Sequence, residues 1–125
     1  MKFIFLFIFL SSSLFAQLHE NKPVLSQEEN TLYRQILKLY QAEPIAALEL
    51  YKTVKPGASA AFDYLKGVIY LEQKKNPEAI SSFEQAINKL PDYYHAHQAL
   101  VELHLGNDKP DKAMVHLLKT IQLGK

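Results

Sequence analysis

Six prolines divide this chain into two interleaved series. Pro23, Pro56 and Pro91 are separated by 33 and 35 residues, and Pro44, Pro77 and Pro110 by 33 and 33. A fixed period of this size is the mark of a repeat array, in which each unit is one supersecondary element that buries its apolar face against its neighbours. The fold must therefore be one that can be extended by stacking. Arrays of this kind present surface to other molecules more often than they house a reaction.

Within the period the pattern is helical. Leu32, Ile36, Leu37 and Tyr40 form one stripe, Phe62, Leu65, Ile69 and Tyr70 a second, and Leu100, Leu103 and His104 a third. The three- and four-residue spacing is that of an amphipathic helix. No β-branched alternation occurs, so no sheet is expected.

Pro44, Pro77 and Pro110 mark helix starts, because proline suits the first helical turn and pushes the residue before it out of helical conformation. In Asn76-Pro77-Glu78, Asn76 is the expected cap and Glu78 complements the helix dipole. Pro56, followed by Gly57, and Pro91 mark turns between units. Six helices are predicted, at about 26–42, 44–55, 59–74, 77–89, 93–106 and 110–122. Their short connections make neighbouring helices antiparallel hairpins. The units are 26–58, 59–92 and 93–125, which together form one repeat domain over 26–125.

Superposing the units groups Ala46 with Ala79 and Ala113, and Leu50 with Phe83 and Leu117. Thr53, Ala86 and Thr120 follow, then Val54, Ile87 and Ile121. On the preceding helices, Leu37 groups with Tyr70 and His104, and Leu32 with Leu65 and Ala99. Small residues let helices approach to about 8–10 Å, and the large residues beside them fill the space between hairpins.

The middle unit resembles the tetratricopeptide repeat (TPR) through Gly67, Tyr70, Ala79, Phe83, Ala86 and Pro91. Asp63 and Lys66 depart from that family's aromatic and Leu. The outer units depart further, with Arg34 and Val101 for the Gly and Leu37 and His104 for the Tyr. The resemblance implies an all-α, right-handed superhelix of about three antiparallel helical hairpins. It also implies a groove lined by the first helix of each hairpin. Carried onto this chain, the groove positions are Glu28, Thr31, Gln35 and Lys38, then Tyr64, Val68 and Glu72, then His95, Gln98 and Glu102. Some members hold acidic chaperone tails with a cluster of Lys, Arg and Asn. The residues here do not match that clamp. The competing reading is a solvated helix face.

The first residues read differently from the rest. Lys2, an apolar run from Phe3 to Leu10, three serines and Ala16 before Gln17 have the layout of a secretory signal peptide, residues 1–16. The alternative is an uncleaved anchor, although the run is shorter than the ~20 apolar residues of a spanning helix. Residues 17–25 read as a flexible start. The expected location is the periplasm or outside the cell, in a bacterial envelope, since the exported chain has no cysteine with which to form disulfides. Removing Lys2 with the leader leaves 13 basic against 13 acidic side chains, which gives no electrostatic footprint for nucleic acid.

No nucleophile motif, phosphate loop or carboxylate pair is present, so no enzymatic role and no cofactor are expected. His95, His97, His104 and His116 lack a chelating helical spacing, and His104 falls in a core column, so no metal is expected. Tyr93 and Tyr94 are expected to pack at the turn between repeats. The last helix carries Met114, Val115, Leu117, Leu118 and Ile121, an apolar surplus where arrays usually present a polar face. A non-catalytic scaffold or adaptor binding a protein or peptide in the groove is the first functional expectation. The second is an assembly module that forms homo-oligomers through Met114, Leu117, Leu118 and Ile121. A longer array is the third account of that surplus.

Overall fold

The computed structural model describes residues 22–124. The leader expected over residues 1–16 lies outside them, as do positions 17–21 of the following segment. Among the described residues six α-helices occur and no strand: α1 Gln27–Ala42, α2 Pro44–Leu50, α3 Ala60–Glu72, α4 Asn76–Lys89, α5 Tyr94–Gly106 and α6 Pro110–Leu123. A 3-10 turn at Tyr51–Thr53 extends α2. The fold is a solenoid of three helical hairpins, α1/α2, α3/α4 and α5/α6, with each second helix packed on the next first helix.

Local chemistry sets the helix starts. Ser26 caps α1: its hydroxyl accepts the Glu29 N–H and the Glu29 carboxylate accepts the Ser26 N–H, both at 3.1 Å. The second oxygen of the same carboxylate accepts the N–H of Ser59, the cap of α3, at 2.8 Å. These backbone donors, Ser59 first, hold the Glu29 carboxyl below its ordinary range. Tyr93 stands in the equivalent cap position of α5 without a side-chain bond.

The second helices correct the proline alignment. Asn76 does not cap α4; it is the first helical residue, and Lys75 takes the cap position with no side-chain bond. The caps are therefore Glu43, Lys75 and Lys109, separated by 32 and 34 residues. The reason lies in the turns. Lys74 and Asp108 adopt left-handed backbone, with φ of 60° and 55°. Each is followed by an N–H that reaches back to the first helix, Lys75 to Tyr70 at 2.9 Å and Lys109 to His104 at 2.8 Å. The first hairpin lacks this residue, and Glu43 N–H bonds Leu39 directly at 2.6 Å.

Unit one is thus shifted by one position. Ala47, not Ala46, groups with Ala79 and Ala113, and each of the three donates its N–H to the cap carbonyl. All three are buried. Tyr51 replaces Leu50 beside Phe83 and Leu117, and Val54 replaces Thr53 beside Ala86 and Thr120. On the first helices the buried column is Ile36, Ile69 and Leu103. The expected column of Leu37, Tyr70 and His104 is mixed: His104 is buried, Tyr70 half-buried and Leu37 exposed.

Three apolar clusters hold the hairpins together, one of them made by Ala60, Ala86, Tyr93 and Ala96 between the second hairpin and the third. Ile36, Ala47, Phe62, Leu65 and Ile69 join the first two hairpins. The Phe62 ring sits edge-on to Tyr33 at 5.8 Å and to Tyr51 at 6.2 Å, and the Tyr51 hydroxyl donates to the Phe62 carbonyl. Ala79, Phe83, Leu100 and Leu103 join the second and third. Gly67 lets the Phe83 ring lie against the α3 backbone, where a Cβ would stand 2.7 Å from the ring. Asp63 forms an ion pair with Lys89 at 2.8 Å, which ties α3 to α4 within the second hairpin.

Candidate protein-binding surface

The first helices present the expected groove positions unevenly. Glu28, Thr31, Gln35 and Lys38 are exposed on α1, and the Thr31 hydroxyl is engaged with the Gln27 carbonyl at 3.1 Å. Glu72 is exposed on α3 and accepts from the Tyr40 hydroxyl at 3.4 Å, a bond that bridges α1 and α3. His95, Gln98 and Glu102 are exposed on α5. Tyr64 and Val68 are half-buried, and both pack against the Phe83 cluster.

Tyr64 is the centre of this surface. Its ring lies 5.4 Å from Phe83, 5.3 Å from Tyr93 and 6.3 Å from His95. Burial, and then the Glu102 carboxylate, push its phenol above the ordinary range, so it stays neutral and can donate a hydrogen bond. The structure therefore gathers Tyr64, His95 and Glu102 into one constellation of aromatic, imidazole and carboxylate groups. Gln98 stands exposed on α5 beside it, whereas Thr31, Gln35 and Lys38 stand exposed on α1 and are not part of it.

Beside this constellation the tyrosine pair divides. Tyr93 is buried, as expected of turn packing, whereas Tyr94 is 38 % exposed. With Leu25, Tyr33, His95 and Leu123 they line an open cleft of about 650 Å³. Sequence spacing gave no sign of it, because its walls come from the start of the described chain, three first helices and the end of α6.

The histidines meet in a way that spacing along one helix could not reveal. His97 and His104 on α5 are joined by His116 on α6. The His97 Nε2–H donates to the Pro91 carbonyl at 2.6 Å, which leaves Nδ1 to accept from His116 Nδ1 at 3.0 Å. The His104 ring stacks beside His116 at 5.8 Å. His104 is buried, in agreement with its expected core role. Among the described residues no group of three or more His, Cys, Asp or Glu side chains is placed to hold a metal ion.

Burial lowers the pKa of His104 and His116. Lys112 and Lys109 lower His104 further against an opposing pull from Glu84, and the other two histidines lower His116. The unfolded chain therefore takes up protons that the folded chain refuses once pH falls below about 6.5. Stability is expected to be level above that pH and to decline below it. Urea midpoints at pH 7.5 and 5.5 test this, with the lower value expected at pH 5.5. His104→Leu should flatten the difference, and equal midpoints in the parent protein would contradict the geometry.

Helical hairpins stacked in this way define a helical repeat protein, here with a mixed polar and aromatic face on its first helices. Residues 70–122, from the end of α3 through α6, match the family model of the tetratricopeptide repeat. The match leaves out α1 and α2, the unit whose turn is one residue short. No curated protein matches the chain. Tetratricopeptide repeats generally mediate protein–protein interaction. No helix among the described residues is long and apolar enough to cross a membrane.

Proposed function

We propose that this chain is a non-catalytic scaffold or adaptor, exported to the cell envelope, that holds a protein or peptide along its first-helix face. The observation that carries this reading is the Tyr64 constellation. An aromatic ring fixed by the core gives a rigid, partly exposed anchor, and exposed His95, Gln98 and Glu102 surround it with orienting groups. Anchors of this kind dominate binding energy, while the polar residues around them fix register. The exposed α1 residues Thr31, Gln35 and Lys38 extend the face along the solenoid.

Export is supported by Lys2, the apolar run after it and the small residue Ala16 ahead of Gln17. Sequencing the protein recovered from an envelope fraction should give Gln17 as the first residue. Met1 at that position would remove the export step. Photo-crosslinkers at Gln35 and Gln98 should trap one and the same partner. Gln35→Lys combined with Gln98→Glu should weaken its capture at least tenfold while leaving the melting temperature unchanged. Undiminished capture would sink the groove assignment.

A further inference from the structure

Exposed apolar side chains concentrate on α6. Met114, Leu117, Leu118 and Ile121 are 52, 39, 60 and 54 % exposed, and Val115 beside them is 66 % exposed. Their spacing of three and four places the first four on one stripe. This inference does not rest on the groove assignment.

Repeat geometry accounts for part of the stripe. Counted from the second-helix caps, Met114, Leu117 and Ile121 stand where α4 carries Ile80, Phe83 and Ile87. Those three pack into the cluster shared with α5. Leu118 and Val115 have no such counterpart. Their equivalents are Glu84 and Ser81 on α4, both exposed. In the first unit they are Lys52, in the 3-10 turn after α2, and Glu49, which form a solvent-facing ion pair at 2.8 Å. A hairpin laid on α6 as α5 lies on α4 would leave Leu118 and Val115 in water. The apolar face of α6 is wider than the repeat requires, so its occupant covers more than a following repeat helix would.

The stripe is also symmetric about its own midpoint, which falls between Leu117 and Leu118. An antiparallel α6 from a second copy brings Met114 opposite Ile121 of that copy, with Leu117 meeting its own counterpart along one edge of the seam and Leu118 its own along the other, where Val115 flanks it. No charged side chain interrupts the pairing. Asp111 and Lys112 precede the stripe, and Lys119 is turned to Asp92 at 2.9 Å. A surface that complements itself under twofold rotation is the requirement for an isologous dimer. We propose that two copies of this chain pair through antiparallel α6 helices about a twofold axis between Leu117 and Leu118.

One helix stripe offers on the order of a few hundred Å² per copy, the low end for specific interfaces, so the dimer is weak and concentration-dependent. Sedimentation of the mature protein from about 1 μM to 1 mM should show the mass rising towards that of a dimer, with a Kd on the order of tens of micromolar. Leu118→Lys restores the character this position has in the first unit, so it should leave the melting temperature in place and raise the Kd at least tenfold. The chain contains no cysteine, so introduced thiols report geometry directly. Under mild oxidation, Met114→Cys protein mixed with Ile121→Cys protein should give the mixed disulfide. Met114→Cys protein alone should not, since seven residues of helix separate the two thiols by about 10 Å along the axis. A monomer throughout the concentration range, a dimer indifferent to Leu118→Lys, or efficient Met114→Cys self-crosslinking would each overturn the proposal.

Discussion

Phe83→Ala is expected to destabilise the protein by about 3–5 kcal/mol, the range for deleting a buried aromatic ring. The ring is fully buried. It is enclosed by Gly67 of α3 and by Leu100 and Leu103 of α5, with the Tyr64 ring tilted against it at 5.4 Å. Three helices form the walls, so no single one can collapse into the void. Domains of this size are stable by only about 5–15 kcal/mol, and one kcal/mol shifts the melting point of such a domain by roughly 4–8 °C. A fall of tens of degrees in a circular-dichroism melt is the expected reading. Because contacts in a solenoid run between neighbours, α5 and α6 should lose hydrogen-exchange protection before α1 and α2. A loss below about 1 kcal/mol would mean that the α4–α5 junction does not depend on this ring.

Filling the space from the other side should be nearly as costly. Glycine in a helix is poorer than alanine by about 1 kcal/mol, so propensity alone makes Gly67→Ala stabilising. Geometry reverses the sign. The new Cβ would lie 2.7–2.8 Å from three ring atoms of Phe83. The ring cannot retreat, because the same cluster holds its far side. Overpacking of this kind costs about 1–3 kcal/mol, and Gly67→Val should reach the upper end. Urea denaturation measures the effect, and a double-mutant cycle isolates its cause. In a Phe83→Leu background the ring edge is gone, so Gly67→Ala should become neutral or favourable. Destabilisation that persists there would place the cost elsewhere than at the ring.

The two predictions bear on how far the sequence could be read. Gly67 and Phe83 were each recognisable by type and spacing as positions of the repeat pattern, and the structure supplies the reason for the glycine. The three hairpins followed from proline spacing, since proline is excluded from helix interiors whatever surrounds it. The register of the first unit did not follow, because proline counts residues and not turn geometry. Pro77 occupies the second position of α4, whereas Pro44 and Pro110 occupy the first positions of α2 and α6. The left-handed residues at Lys74 and Asp108 are a lysine and an aspartate, so no glycine signalled the extra residue.

The candidate surface was legible as positions but not as surroundings. Tyr64 and Val68 are set half into the core because Phe83 from the following helix reaches them. The contact of His97 and His104 with His116 crosses from α5 to α6 and depends on how the two helices dock. Periodicity describes one helix at a time, so such a contact lies beyond it. The width of the α6 face became meaningful only after the units were aligned by their caps, which set Leu118 against Glu84 and Lys52.

The Glu29 carboxylate receives N–H groups from the first turns of both α1 and α3. Successive residues advance along a helix by about 1.5 Å, half the length of a hydrogen bond. If α1 slid past α3 by one residue, the Ser59 N–H would lose its acceptor while the apolar faces stayed largely in contact. Apolar packing alone discriminates poorly between such neighbouring alignments. Glu29 thus works as a detent between two cylinders that could otherwise settle a notch out of place, and its contribution is measured in fidelity of docking more than in strength.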